Sequence, residues 1–320
     1  MHAIVSLVVQ EAIFVSGEAL RFGLLSSDPF SRRVSELETA LQKLGVEAVH
    51  ILPWKVKRTV SDGTYEIVQG NRNLIDLDVV IVLDIGASDI GSYLSRMDLL
   101  SALATTGVTL INSIEAIRIM RNKAETIRKF AHHGIPVPKT LITESIEDAA
   151  AFVNKNNPCV LKPLLGFGGS GIRLIEKQFD IRNIYDILKF HSQQYGKGAF
   201  LLQQYIENPG YDIRALVVDG QVIADMQRVS TDGIVTNIHA GGTARPNDLE
   251  IKDLAKKAAR IVGGWLVGVD IIPDKEGECF VLEANATPGW AGLQSVTEIR
   301  IAERIAESLI RKDRSKGEGF

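Results

Sequence analysis

The chain has 320 residues, 45% hydrophobic and 23% charged, with a net charge of −3. This is ordinary composition for a soluble globular protein, and the length is too great for one core, so two or three domains are expected. No Lys/Arg run rises above background, which argues against nucleic acid as a general partner, and no apolar run is long enough to span a membrane. Cys159 and Cys279 sit in apolar strand-like runs without a pairing pattern and read as reduced core thiols of a cytosolic protein.

Residues 3–9 are apolar, lack a basic leader and are soon followed by Glu11 and Glu18, so they read as a first strand and not a signal peptide. Residues 32–44 have the helical period, with Val34, Leu37, Leu41 and Leu44 on one face, and stop at Gly45. Residues 46–52 and 79–83 read as buried strands, 56–72 as a polar hairpin, 97–106 as a helix ended by Gly107, and 108–111 as a strand. Together they predict a small α/β domain with a mainly parallel sheet over residues 1–112.

A second unit, 113–199, opens at Ser113, a residue able to cap a helix. Residues 115–133 read as one helix, stopped by Gly134-Ile135-Pro136-Val137-Pro138, followed by a helix at 146–154 and a short strand at 159–162. A glycine loop at 166–171, a strand at 172–176 and a helix at 183–193 follow. The third unit, 200–310, opens with a strand at 200–206 and carries a strong hairpin turn at Asp219-Gly220. It continues with an amphipathic helix at 249–262, strands at 266–272 and 280–284 and a last helix at 297–310, before a polar tail at 311–320.

Gly166-Phe167-Gly168-Gly169-Ser170-Gly171 fits the dinucleotide pattern G-x-G-x-x-G, which alone is weak. That fingerprint needs a helix directly after the loop, whereas residues 172–176 alternate like a strand, which counts against a dehydrogenase. The loop therefore reads as a hairpin tip whose backbone N–H groups can close over phosphates. A plain glycine turn is the simpler alternative. Lys162 shifts the balance, because a lysine ending an apolar run is costly to bury unless it faces an anion.

With Glu276-Gly277 as the turn, Asp270 lies opposite Glu283, and strand period puts Asn285 on the face of Glu283. Opposed like charges destabilise a sheet unless a cation sits between them. Two carboxylates and an amide oxygen form a hard oxygen site suited to magnesium carrying nucleotide phosphates. Asp212 and Arg214 share a face, and a tight turn sets Arg214 opposite Asp225 as a cross-strand ion pair. Arg228 then points the other way unless the strand bulges. Asn237 and His239 alternate before Gly241-Gly242, with His239 either a base or a structural residue, and His132 and His133 read as helix-terminal.

From about residue 112 to 310 the chain resembles the RimK-type ATP-grasp ligases, which add L-glutamate to an acceptor. The matching stretches are Arg121-Asn122-Lys123-Ala124, Val160-Leu161-Lys162-Pro163, the glycine loop, Gln203-Gln204-Tyr205-Ile206-Glu207 and Asp212-Ile213-Arg214. Thr236-Asn237-Ile238-His239, Gly268-Val269-Asp270 and Glu283-Ala284-Asn285-Ala286-Thr287-Pro288-Gly289-Trp290 match too. The resemblance implies an ATP-grasp fold, with an N-terminal parallel-sheet domain and two α+β subdomains clasping ATP.

By the same resemblance, Lys123 and Lys162 hold the ATP phosphates under Gly166, Gly168, Gly169 and Ser170. Adenine binds near Gln203, Gln204 and Ile206, the ribose near Asp212, and Arg228 and Asn237 contact the phosphates. Asp270, Glu283 and Asn285 bind magnesium or manganese, and Arg214 meets an acyl-phosphate or an incoming carboxylate. Asn122 stands in place of a common Asp, Gln204 of a common Glu, and Ala240 of a frequent Arg, the last bearing on the acceptor. The expected reaction is ADP-forming: ATP phosphorylates a carboxylate and an amine attacks the acyl-phosphate, with no protein nucleophile. The ending from Ala286 to Leu293 looks most like tetrahydromethanopterin:glutamate ligases, so the expected partners are L-glutamate and a small carboxylate-bearing coenzyme. A protein tail or carrier protein as acceptor, an inactive nucleotide-binding module, and a homo-oligomer stay open.

Overall fold

The computed structural model describes residues 14–15, 18–86, 89–164, 171–176, 180–195, 199–229 and 242–316. They fall into two compact units, one holding the chain up to Glu115 with 287–290 and the stretch from 298 on, the other holding 116–286 with 291–297.

The first unit contains, in chain order, β1 (Arg21–Leu25), α1 (Arg32–Lys43), β2 (Glu47–Ile51), β3 (Lys57–Ser61), β4 (Thr64–Gln69), β5 (Arg72–Asn73), β6 (Val79–Val82), α2 (Ile90–Thr105) and β7 (Thr109–Ile111). Strands β2-β1-β6-β7 form a wholly parallel sheet, and β3-β4-β5 a separate antiparallel one. The expected strand at 3–9 lies outside the described residues. The sheet's inner strand is instead β1, unforeseen because Gly23 interrupts it and reads as a breaker. Gly23 is needed there: a Cβ would sit 2.5 Å from Ile51 Cδ1. Helix α2 begins at Ile90 with an Asp89/Ser92 capping box, ahead of the expected 97. Its first turns leave Ile90 and Leu94 exposed, so they carry no apolar period to read.

At the carboxyl ends of β1 and β6, Asp84 accepts hydrogen bonds from Ser26 Oγ (2.5 Å), Ser27 Oγ (2.6 Å) and Ser27 N (3.0 Å). Arg33 donates to the carbonyls of Leu83 (2.6 Å), Thr287 (3.2 Å) and Pro288 (3.3 Å). The buried Trp290 indole donates to Glu36 (2.7 Å), so α1 fastens the stretch 287–290 into this unit.

Helix α3 (Ile114–Arg121) leads into the second unit, where α4 (Lys123–His132) starts afresh. The single helix expected over 115–133 is broken at Asn122, whose extended backbone and side-chain bond to Glu125 N cap α4. There follow β8 (Thr140–Thr143), α5 (Ile146–Asn156), β9 (Cys159–Lys162), β10 (Arg173–Ile175), α6 (Ile181–Tyr195) and β11 (Phe200–Gln204). Their antiparallel sheet runs β8-β11-β9-β10, so the strand at 200 belongs to it and does not open a new sheet. Cys159, Leu161, Ile175 and Leu202 point to one face and pack on α5 and α6 with Ala149, Val153 and Leu188.

Next come β12 (Tyr211–Val218), β13 (Gln221–Val229), β14 (Thr243–Pro246), α7 (Lys252–Ile261), β15 (Leu266–Pro273) and β16 (Cys279–Asn285), and then a one-turn helix at Ala291–Gln294. The antiparallel sheet order is β14-β13-β12-β15-β16. The final helix, α8 (Ile301–Lys316), starts later than expected and runs into the stretch read as a tail. Among the described residues no helix is long and apolar enough to cross a membrane.

Gly86 has φ +58, and a Cβ there would lie 1.8 Å from Ser27 Oγ. Gly86→Ala should strain the backbone and push Ser27 off Asp84, destabilising the protein by about 1–3 kcal/mol. Urea unfolding should show a lower midpoint at unchanged slope; an unmoved midpoint refutes the packing described.

Candidate functional site

Two bulges decide what the five-stranded sheet presents. The Asp219-Gly220 turn is tight, with φ +50 and +71, as the sequence predicts. Beyond it Leu216 pairs with Ala224 but Val217 with Val222, leaving Ile223 as an extra residue. The register shifts by one, so Asp212 lies opposite Arg228, Arg214 opposite Met226 and Ala215 opposite Asp225. The expected Arg214–Asp225 pair does not form; Asp225 accepts from Asn247 Nδ2 at 2.8 Å. The same bulge brings both arginines to one face.

Asp270 lies opposite Glu283, as expected, by a different route. The turn is longer than two residues: Asp274 N donates to Glu278 O (2.8 Å) and Gly277 takes φ +91. That moves the register by one, and a bulge between Asp270 and Ile271 moves it back. Arg214 pairs with Asp270 and Gly268 with Asn285. By strand period, Asp212, Arg214, Arg228, Asp270, Glu283 and Asn285 share one face. Ala255, Ala258 and Ala259 of α7 are fully buried, their short side chains keeping that helix close to the sheet.

Asp270 is 4% exposed and Arg228 6%. Arg214 Nε donates to Asp270 Oδ1, and its Nη2 to Oδ2 at 2.8 Å. Arg228 Nη2 reaches the same Oδ2 at 2.9 Å. Arg228 also holds Asp212 by two bonds, Nε to Oδ1 (2.7 Å) and Nη2 to Oδ2 (2.6 Å). Burial opposes the charge on Asp270, but Arg214 and then Arg228 overcome it and keep its carboxyl well below the usual range. Burial likewise opposes the charge on Arg228, and Asp270 and Asp212 raise its pKa in spite of it. Asp212, expected near a ribose, is buried with both oxygens on Arg228.

The other cations come from neighbouring elements. The break at Asn122 puts Lys123 in the first turn of α4, its Nζ 3.5 Å from Glu283 Oε2. Lys162 ends β9 on the face opposite the α5–α6 core and is 8% exposed. Burial lowers its pKa to about 8; Glu283 works against that shift, Lys123 with it, and Asp270 and Asp212 against it. Gln203 pairs with Val160 and so shares the face of Lys162. Its Nε2 donates to Thr140 Oγ1 (3.1 Å), while its Oε1 is buried without a hydrogen-bond partner among the described residues. Such an acceptor is expensive to leave unpaired and calls for a donor from a ligand. Thr140 had no signal in the sequence, since a strand threonine is unremarkable.

Gln204 is exposed, and its N–H donates to Lys139 O (2.9 Å); the Ile206 carbonyl accepts from Asn208 Nδ2 (3.0 Å). Gly166, Gly168, Gly169, Ser170, Asn237, His239 and Ala240 lie outside the described residues. The strands flanking the glycine loop, β9 and β10, pair antiparallel, Leu161 with Arg173 and Cys159 with Ile175. The loop therefore joins two hairpin strands and is not a strand-to-helix turn.

Arg228→Met should leave Asp212 buried and unpaired, destabilising the protein by about 3–5 kcal/mol. Adding Asp212→Asn should recover part of that loss. Thermal melts of the single and double variants check this, and additive losses overturn it.

Residues 120–309 match the pattern of the RimK-like ATP-grasp domain. A tetrahydromethanopterin:alpha-L-glutamate ligase of Methanosarcina acetivorans is 31% identical over 90% of this chain and 98% of its own. A coenzyme gamma-F420-2:alpha-L-glutamate ligase of Methanocaldococcus jannaschii is also 31% identical, over 92% of this chain and 100% of its own. Among solved structures, the ATP-grasp ligase PsnB, complexed with a precursor variant, Mg and ADP, superposes with a TM-score of 0.69 at 20% identity, covering 92% of this chain and 99% of that one. The chain therefore belongs to the RimK-like ATP-grasp family of ADP-forming carbon–nitrogen ligases.

Proposed function

We propose that the chain joins L-glutamate to a small carboxylate-bearing coenzyme, tetrahydromethanopterin or a related one, through an acyl-phosphate formed from ATP with magnesium. The observation that carries this reading is the Asp270–Glu283 pair, opposed across one ladder and surrounded by Lys123, Lys162, Arg214 and Arg228. Curated relatives named for tetrahydromethanopterin and for coenzyme F420 support the acceptor class.

The residues present fit both nucleotide and metal. The orphaned Gln203 Oε1 suits the exocyclic amine of adenine, and the buried Lys162 on the same face suits a phosphate. Asp270, Glu283 and Asn285 supply oxygen donors only, the set that a hard divalent cation takes, manganese as well as magnesium. When bound, the metal neutralises charge building up on the transferring phosphoryl group.

In this reading Gln203 and the backbone at Gln204 and Ile206 hold the base. Lys123, Lys162, Arg228 and Asn237 hold phosphate oxygens, with Gly166, Gly168, Gly169 and Ser170 covering them. Asp212 fixes Arg228 in place by two hydrogen bonds. Arg214 orients the carboxylate that takes the phosphoryl group and becomes the acyl-phosphate. The amine of glutamate then attacks, so positioning and charge carry the reaction without a protein nucleophile.

ADP release should require L-glutamate together with tetrahydromethanopterin or γ-F420-2, and should fail with an acidic peptide tail. Glu283→Gln should lower the rate by at least about 100-fold while the melting temperature holds. A stable variant with near-normal turnover refutes the metal assignment, and ADP release with the peptide alone refutes the acceptor class.

Lys162 gives a pH test. Burial holds its pKa near 8, so it is mostly deprotonated above that pH, whereas bound phosphates favour the charged form and raise the pKa. ATP binding should therefore take up almost no proton at about pH 6.5 and nearly one at about pH 9. Calorimetry in buffers of different ionisation enthalpy measures the uptake, and Lys162→Met should abolish it. Equal uptake in the variant overturns the assignment.

A further inference from the structure

Both oxygens of Asp270 already have cationic donors. Arg214 meets Oδ1 through Nε and Oδ2 through Nη2, and Arg228 adds Nη2 on Oδ2. Glu283 has Lys123 at 3.5 Å. The two acids proposed to hold a metal are thus occupied by the chain's own positive groups. Four cations, Lys123, Lys162, Arg214 and Arg228, stand against three anions, Asp212, Asp270 and Glu283. The cluster carries a net charge of +1 and sits largely out of water.

That balance admits neither ligand comfortably alone. A divalent cation entering by itself meets arginines on its ligands and an excess of positive charge. A nucleotide entering by itself adds a large negative charge beside three carboxylates. Arriving together, they let the partners exchange: phosphates take the cations and the metal takes the carboxylates, while the total charge moves less than with the nucleotide alone.

The two arginines differ in what they lose on exchange. Arg228 keeps Asp212 by two hydrogen bonds even if it leaves Asp270. Arg214 has only Asp270 as a hydrogen-bond and ion-pair partner among the described residues. Release from Asp270 therefore frees the whole Arg214 guanidinium for another anion. The fork that held one carboxylate can then hold a second, that of the acid to be activated.

We propose that Arg214 is a placeholder for the metal: it occupies Asp270 in the free enzyme and is displaced when metal and nucleotide bind together, becoming the carboxylate-binding group. The idea rests on the metal reading given under the proposed function. It makes metal and nucleotide binding mutually dependent, and it makes the acid substrate's site a product of their arrival.

Electron paramagnetic resonance of manganese tests it without turnover. Wild-type protein should bind manganese weakly alone and at least about 10-fold more tightly with saturating AMPPNP, beyond what the analogue binds in buffer. Arg214→Met should bind manganese without nucleotide at least about 10-fold more tightly than wild type and lose most of that dependence. Arg214→Lys, which keeps the charge and loses the fork, gives a second variant should the first fail to fold, and should fall between the two. Nucleotide-independent manganese binding by wild type overturns the exchange and leaves the metal site standing, and so does an Arg214→Met affinity no higher than wild type's. Absence of protein-bound manganese in wild type even with AMPPNP removes the metal site itself, and the exchange with it.

Discussion

The site depends on one arrangement: a buried aspartate, Asp270, carrying a full charge under two arginines, one of which is anchored by a second buried aspartate. Taking such groups out of water costs several kcal/mol per ion, and a cluster of this kind seldom stabilises a fold better than an apolar replacement. Its geometry is nonetheless closely specified. Asp212, Arg214, Arg228 and Asp270 come from three adjacent strands, and their meeting requires the register of both ladders to be right at once. Small alanines behind the sheet let α7 pack close, which keeps those strands covered on the far side. The apolar face supplies the stability that the charged face does not.

Much of this was legible. Strand period alone placed Asp212 with Arg214 and Glu283 with Asn285, because alternation survives any choice of register. The register was harder. Asp270 opposite Glu283 came out right because two departures from the simple hairpin cancel, a longer turn at 274–278 and a bulge between Asp270 and Ile271. In the neighbouring hairpin the turn was as simple as expected and the bulge was not cancelled, so the pairing of Arg214 with Asp225 was wrong by one residue. The conflict over Arg228 was the visible trace of that bulge, since two basic groups wanted on one face had opposite parity. Bulges leave no compositional mark in a run such as Gln221-Val222-Ile223-Ala224, where every residue is a tolerable strand former.

Elsewhere the losses have local causes. Asn122 reads as one polar residue within a helical period, yet its extended backbone ends one helix and its side chain caps the next, and this brings Lys123 to Glu283. Helix α2 begins with exposed apolar residues, so its opening turns carry no amphipathic signal. Strand β1 was hidden by Gly23, the residue that lets Ile51 and Leu77 close over it. Each is a case where tertiary contact, invisible in the chain, overrides the local pattern.

The two sheets of the second unit divide the chemistry by the same rule of alternation. On β9 and β11, odd-numbered Cys159 and Leu161 and even-numbered Leu202 turn toward helices, which leaves Lys162 and Gln203 on the opposite face. On β12, β13, β15 and β16 Asp212, Arg214, Arg228, Asp270 and Glu283 take one face, and Ile213, Ala215, Val269 and Ile271 take the other. A slip of one residue in either sheet would bury Lys162 among Val153 and Leu188 or drive Asp270 into the alanines of α7. The hydrophobic cores thus fix the registers, and the registers fix which polar atoms converge. The geometry of the charged cluster is a by-product of apolar packing on the far side of each sheet. That explains how groups so poorly solvated can be held together without contributing to the stability that holds them.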